Sequence, residues 1–258
     1  MQKVTWLLRF VATGLLFGLF GLGGLLYFFP IRPYLACRYT DRDRRILHAR
    51  AITHHWFRYF VAAMRFCRAV DVKWVHPERL QAPGQLIVAN HPSLIDIVCL
   101  ISALPNATTL VKESLLTNPF TRTPIVEADY LHNARGAQTL RHAQKEIQRG
   151  STIVIFPEGT RTPENATAQT PPKLHRGAFA LAVRLKRPIT PIRITAQPRW
   201  LTKENNWWHM PKEKMVLTIE VLESIPTDGL IRRYNGRTAL AARDLAKTIT
   251  PLLFERKA

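Results

Sequence analysis

Cysteine is scarce. The 258 residues hold three, Cys37, Cys67 and Cys99, with no paired spacing. That argues against a disulfide framework and a structural zinc site, and it fits a reducing compartment. Acidic residues are scarce too. Eighteen Asp and Glu face 37 Lys and Arg, a net charge of +19. A surface that cationic calls for a polyanionic partner: nucleic acid, an anionic membrane surface or a phosphorylated substrate. No G-x-S-x-G elbow occurs, which removes the usual serine-hydrolase nucleophile. No internal repeat or low-complexity tract interrupts the chain. With 47% hydrophobic and 21% charged residues, the composition is that of a folded chain. The length suits one large domain, or one domain with an appendage.

Charge is also missing from residues 10–29, FVATGLLFGLFGLGGLLYFF. Twenty helical residues reach roughly 30 Å, the thickness of a bilayer's hydrocarbon core. No small-x-small cleavage site follows; Pro30-Ile31-Arg32-Pro33 does. Residues 1–30 therefore read as a transmembrane anchor. Lys3 and Arg9 precede the run, and Arg32, Arg38, Arg42, Arg44, Arg45 and Arg50 follow it. The positive-inside rule puts the rest of the chain in the cytoplasm, at the inner (cytoplasmic) membrane, single-pass or monotopic. Gly14 and Gly18 form a GxxxG pair, a weak helix-packing signal in so glycine-rich a segment.

Residues 31–70 carry a net charge of +7, with Trp56, Phe57, Tyr59, Phe60 and Phe66 interleaved among Arg58, Arg65 and Arg68. A basic, aromatic helix over 46–70, next to an anchor, suits an interfacial segment on anionic lipid. No nucleic-acid-binding motif appears, so nucleic acid is not the expected partner.

Strands and helices alternate after that. The pattern predicts strands at 72–75, 85–89, 108–112, 152–156, 189–194 and 215–222, and helices at 133–150, 177–185 and 239–253. The fold class is α/β, with a mostly parallel central sheet flanked by helices and an N-terminal membrane helix. Residues 71–258 form the α/β domain.

Two segments at strand exits hold the chemistry. In Asn90-His91-Pro92-Ser93-Leu94-Ile95-Asp96, His91 and Asp96 are five apart. On one continuous helix they would diverge by about 140°. With His91 in a loop and a helix starting at Pro92, Asp96 can return to the imidazole and orient it. His91 is then a general base for a hydroxyl or thiol. In Phe156-Pro157-Glu158-Gly159-Thr160-Arg161-Thr162, Gly159 permits a tight turn and Arg161 offers a planar fork for phosphate. Glu158 either holds Arg161 or accepts a substrate hydroxyl. No third ligand accompanies His91 and Asp96, so no metal is expected there. His54 and His55 are adjacent on a helix and point apart.

Together these segments resemble the signatures of the glycerolipid acyltransferases, the 1-acylglycerol-3-phosphate acyltransferases and their relatives. The first motif of that family is Asn-His-x4-Asp, matched by Asn90, His91 and Asp96. The third is Phe-Pro-Glu-Gly-Thr-Arg, matched by Phe156 to Arg161. Looser matches are Val111-Lys112-Glu113, Arg176-Gly177-Ala178 and Ile189-Thr190-Pro191-Ile192. The resemblance covers roughly residues 70–225. It implies transfer of a fatty acyl group from acyl-CoA or acyl carrier protein to a lysolipid hydroxyl, first of all 1-acylglycerol-3-phosphate, giving phosphatidate. His91 and Asp96 would form the catalytic dyad, with no cofactor, no metal and no acyl-enzyme. Asn90, Lys112, Glu158, Gly159, Thr160, Arg161 and Arg176 would bind substrate, and a backbone N–H near Gly159 would face the oxyanion.

The family's second motif departs here. Its Arg, which helps bind the acceptor phosphate, is replaced at about the same place by Tyr130, leaving Arg122 or Arg135 as substitutes. That motivates an alternative acceptor without a phosphatidate-type head, such as lyso-ornithine lipid or a specialised polyene-type lipid. A reading from another class is a non-catalytic membrane protein that binds lipid or carrier.

Overall fold

A computed structural model describes residues 2–80, 82–132 and 136–255. Arg135 and the side chain of Lys3 lie outside the described residues.

The chain opens with α1 (Gln2–Leu26), a π-helical turn (Tyr27–Ile31) and α2 (Arg32–Arg38), then α3 (Arg42–Phe66). Next come β1 (Val70–Val75), β2 (Leu86–Ala89), α4 (Asp96–Ala103) and β3 (Ala107–Val111). They are followed by α5 (Glu113–Thr117), α6 (Pro119–Glu127), β4 (Leu131–His132), α7 (Gly136–Gln148) and β5 (Thr152–Ile155). The chain ends with α8 (Gly177–Leu185), β6 (Ile189–Gln197), β7 (Met215–Val221), α9 (Asp228–Arg233) and α10 (Thr238–Phe254).

The seven strands form one sheet in the order β1-β7-β6-β2-β5-β3-β4. All neighbours are parallel except β6 and β7. Alternation along β2 feeds both faces: Ile87 and Ala89 join a core with α3 and α4, while Leu86 and Val88 join one with α7, α8 and α10. Strands β2, β5, β3 and β6 therefore end at one edge, where open α/β sheets hold ligands.

Several boundaries differ from expectation; β1 begins at Val70 and β6 runs on to Gln197. The second helical signal begins at Arg42, because Asp41 caps it by accepting the Asp43 N–H at 3.1 Å. The helix expected from Pro92 begins at Asp96 instead, so residues 92–95 are a turn. The short elements α2, α5, α6, β4 and α9 were not read in advance: none is long enough to show a clear period.

The helix from Thr5 to Arg38 is long and apolar enough to cross a membrane. It does not stop at Pro30. Proline removes one N–H, and the backbone widens into the π turn around it. The helix also lies against the domain from end to end. Trp6 Nε1 donates to the Met210 carbonyl at 3.3 Å, and Tyr27 Oη donates to that of Ala49 at 2.6 Å. Gly24 passes so close to α6 that a Cβ there would lie 2.0 Å from the Phe120 carbonyl oxygen. Gly14 is used in the same way, against Trp207, so that half of the GxxxG pair faces inward.

A buried charge network ties α3 to the sheet. Arg50 is 1% exposed; it pairs with Glu146 at 2.6 Å and donates to Ser151 Oγ at 2.7 Å and to the Ala128 carbonyl at 2.8 Å. Arg149 binds Asp43, Asp129 and the same Glu146. Removing one partner of such a pair leaves a charge stranded in low dielectric. Arg50→Ala is expected to lower stability by about 3 kcal/mol, read by urea unfolding. A loss below about 1 kcal/mol, the range of exposed pairs, would mean that Arg149 alone neutralises Glu146.

Candidate active site

Strands β2 and β5 are parallel neighbours, with Val88 beside Ile155. The segments that follow them therefore emerge side by side. The turn Pro92–Ile95 folds Asp96 back so that its Oδ2 lies 2.9 Å from His91 Nδ1. The same oxygen accepts the Ser93 N–H at 2.7 Å. Two donors on one oxygen place the shared proton on His91 Nδ1 and leave the Nε2 lone pair outward. Nε2 has no protein partner among the described residues. The ring of Phe156 stacks on the imidazole, centroids 4.2 Å apart. Asp96 is fully buried. Burial pushes its pKa up, while His91 and the Ser93 N–H pull the other way.

The second segment serves the first. Glu158 Oε1 accepts the His91 N–H at 3.0 Å and the Thr162 hydroxyl at 2.6 Å. The Thr162 N–H donates to the His91 carbonyl at 2.7 Å. Glu158 therefore does not hold Arg161, one of the two roles its spacing allowed. Arg161 Nη1 donates to the carbonyls of Leu201 and Thr202, leaving Nε and Nη2 without a partner among the described residues. Gly159 adopts φ +62°, and a Cβ there would press on the His175 ring at 3.1 Å. Its N–H donates to the Phe156 carbonyl at 3.0 Å, so that particular donor is committed to the turn rather than to an oxyanion.

The other expected residues are spread out. Asn90 is a strut: its Oδ1 accepts the Ile194 N–H at 2.7 Å and its Nδ2 donates to the Ile194 carbonyl at 2.8 Å. Both polar atoms are engaged by β6. Thr160 is half-buried in the turn. Lys112 stands just before α5 and Arg176 just before α8, neither side chain capping its helix; both are exposed, and neither bonds to the His91 cluster. Tyr130 is buried, its hydroxyl has no hydrogen-bond partner among the described residues, and burial pushes its pKa up to about 12. A neutral, enclosed phenol does not replace a guanidinium. Arg122 is exposed on α6.

A cavity of about 350 Å³ adjoins this turn. Leu94 and Ile95, between His91 and Asp96, line it together with Phe20, Trp56, Val98 and Tyr130. It runs between α1, α3, α4 and α6, and its wall is almost wholly apolar. Phe156, Ser93 and Thr162 were not singled out in the sequence; only their positions inside the two motifs marked them. Elsewhere, Asp129, His142 and Glu146 converge within 4.8 Å, but Arg149 already bridges both carboxylates, so the cation position is taken. His54 is buried and bonded to the Ile101 carbonyl, not a ligand.

Burial also raises the Glu158 pKa, opposed by its two hydrogen bonds. A raised carboxyl binds a proton more tightly when folded. Its contribution is therefore present below the ordinary value of 4.5 and is lost as pH rises through the folded value. Glu158→Gln should remove that slope. The variant is expected to gain stability relative to wild type between pH 4 and pH 8, measured by urea unfolding across that range; parallel curves would contradict it.

The acyltransferase family profile matches residues 71–195, the stretch that holds both segments. Over 180 residues the chain is 26% identical to the human 1-acyl-sn-glycerol-3-phosphate acyltransferase beta, covering 67% of this chain and 62% of that one. It spans the same 62% of the 1-acyl-sn-glycerol-3-phosphate acyltransferase of Saccharomyces cerevisiae. The lyso-ornithine lipid O-acyltransferase of Pseudomonas aeruginosa is 29% identical over 265 residues, 95% of each chain. The crystal structure of the 1-acyl-sn-glycerophosphate acyltransferase of Thermotoga maritima superposes over both full chains with a TM-score of 0.64 at 18% identity, the same fold. The profile match over the motif-bearing stretch, together with these relatives, supports a place among the glycerolipid acyltransferases.

Proposed function

We propose that this protein transfers a fatty acyl group from an acyl thioester to a hydroxyl of a membrane lysolipid. The observation that carries the reading is the His91–Asp96 pair beside an apolar cavity of chain-holding size. His91 Nε2 takes the acceptor hydroxyl's proton while Asp96 holds the ring and favours the imidazolium. The oxygen attacks the thioester carbonyl, the C–S bond breaks, and His91 returns the proton to the departing thiolate. Products are an ester and a free thiol. No group on the protein is acylated. The free edge of Arg161 binds the acceptor head, and the cationic surface suits an acidic donor, acyl-CoA or acyl carrier protein.

The membrane supplies the acceptor. Leu7, Leu8, Val11, Leu15, Leu19, Phe28 and Phe29 of the first helical run are exposed, opposite the face that packs on the domain. This arrangement favours a helix lying in one leaflet, with the domain on the cytoplasmic side where the flanking arginines sit.

1-Acylglycerol-3-phosphate is the first acceptor to try. Two observations favour a second reading, a lyso-ornithine lipid or another acceptor without a phosphomonoester. One sequence likeness that runs over 95% of both chains is to a lyso-ornithine lipid O-acyltransferase, and Tyr130 is enclosed where the phosphate-binding arginine would stand.

The test offers labelled acyl-CoA and acyl carrier protein to the vesicle-bound protein with both lysolipids. Asp96→Asn should lower kcat by up to about ten-thousandfold, since it leaves the wrong tautomer. His91→Ala should reduce transfer to background, with vesicle binding unchanged. Transfer that survives His91→Ala would remove the mechanism. A wild-type protein that binds lipid but transfers nothing to any acceptor would replace it with a binding role.

A further inference from the structure

The loop joining β6 to β7 (198–214) carries three of the six tryptophans, Trp200, Trp207 and Trp208. Its first part grips the active-site turns. The Trp200 carbonyl accepts the Ser93 hydroxyl at 3.0 Å, and the Leu201 carbonyl accepts the Leu94 N–H at 3.0 Å. Leu201 and Thr202 together supply the carbonyls that hold Arg161. Trp200 is fully buried, and Leu201 is held at φ +58°, a conformation that only surrounding contacts sustain.

The second part grips α1. The Trp207 ring stacks on Phe10 at 5.4 Å, and it covers Gly14 so tightly that a Cβ there would lie 3.0 Å from it. Trp6 Nε1 reaches the Met210 carbonyl and Arg9 Nη1 that of Lys212, at 3.3 and 2.6 Å. Hydrogen bonds tie the two parts together: Trp200 Nε1 donates to the Trp207 carbonyl at 3.2 Å, and between them the Asn205 N–H donates to Thr202 Oγ1 at 3.2 Å. A continuous packed path thus runs from the apolar helix to the guanidinium.

We infer that Trp207 is a positioning residue for Arg161, fixing the height of its guanidinium relative to the lipid-facing helix. The inference rests on the reading of Arg161 as the ligand of the acceptor head. A lysolipid in a leaflet has its head at a set depth. An arginine referenced to the helix in that leaflet meets it there, and a displaced guanidinium loses its charge-assisted hydrogen bonds to the head in ground and transition state alike.

The experiment measures kcat and both KM values in vesicles for wild type, Trp207→Ala, Trp207→Phe, Gly14→Ala, Arg161→Ala and the Arg161→Ala/Trp207→Ala double variant. Trp207→Ala should raise the acceptor KM about tenfold, with kcat and donor KM within about twofold, a loss of binding shared by ground and transition states. Trp207→Phe keeps an aromatic ring on Phe10 and should restore most of it. Gly14→Ala pushes the same ring from the helix side and should raise the acceptor KM by about half as much on a logarithmic scale, which keeps the test alive if Trp207→Ala folds poorly. The double variant should be no worse than Arg161→Ala alone, because the two act through one guanidinium. Additive effects, an unchanged acceptor KM in Trp207→Ala and Gly14→Ala, or reduced vesicle binding in Trp207→Ala would overturn the inference. An unchanged acceptor KM in Arg161→Ala would instead remove the head-group reading of Arg161, and this inference with it.

Discussion

A single buried carboxylate oxygen holds the site together. Glu158 Oε1 receives the backbone N–H of His91 and the hydroxyl of Thr162, while Thr162 returns an N–H to the His91 carbonyl. Two loops leaving neighbouring strands are clasped through the main chain. Because the backbone of His91 is fixed this way, its side chain is left for other work. Asp96 sets the ring's tilt from one side and Phe156 closes it from another. The interaction takes place where water is excluded, so each hydrogen bond is stronger than at the surface and each missing one costs more. The rest of the sheet serves to bring two strand exits within reach of one carboxylate.

The few acidic residues have a pattern. Asp96, Glu127, Glu146, Glu158 and Glu220 are all buried. Each meets arginine, histidine or backbone donors inside the protein. What faces outward is accordingly more cationic than the composition alone indicates. The positive surface and the internal carboxylates are two sides of one allocation.

Six of the seven strands were legible because each of them is a short apolar run with a turn signal beside it, and β2, β5 and the helix α8 fall within a residue or two of expectation; β4, two residues long, was not read. The dyad was legible as a spacing, but the route between its members was not. His91 and Asp96 meet because the turn 92–95 precedes the helix, and hydrophobic period does not register a four-residue turn. Arg161 was legible as a cation, but not its partners, since the carbonyls that hold it lie forty residues further on. The loop 198–214 has no period at all. Its only sequence signal was three tryptophans within nine residues, too much apolar surface for an idle connection. The backbone that Asn90 binds was not legible for a related reason: Ile194 lies 104 residues further on.

The seat of α1 has a consequence for the order of synthesis. Trp6 and Arg9 are bonded to residues more than two hundred positions later. The ribosome thus releases a largely apolar helix long before the loop that receives it has been made. During that interval its inward face, including Phe10, Gly14 and Phe17, has no protein partner. Contacts so distant in sequence form late, and an apolar surface waiting for them invites aggregation. A bilayer surface would accept the same face at once, and lipid would then shelter the nascent helix before its seat on the domain exists.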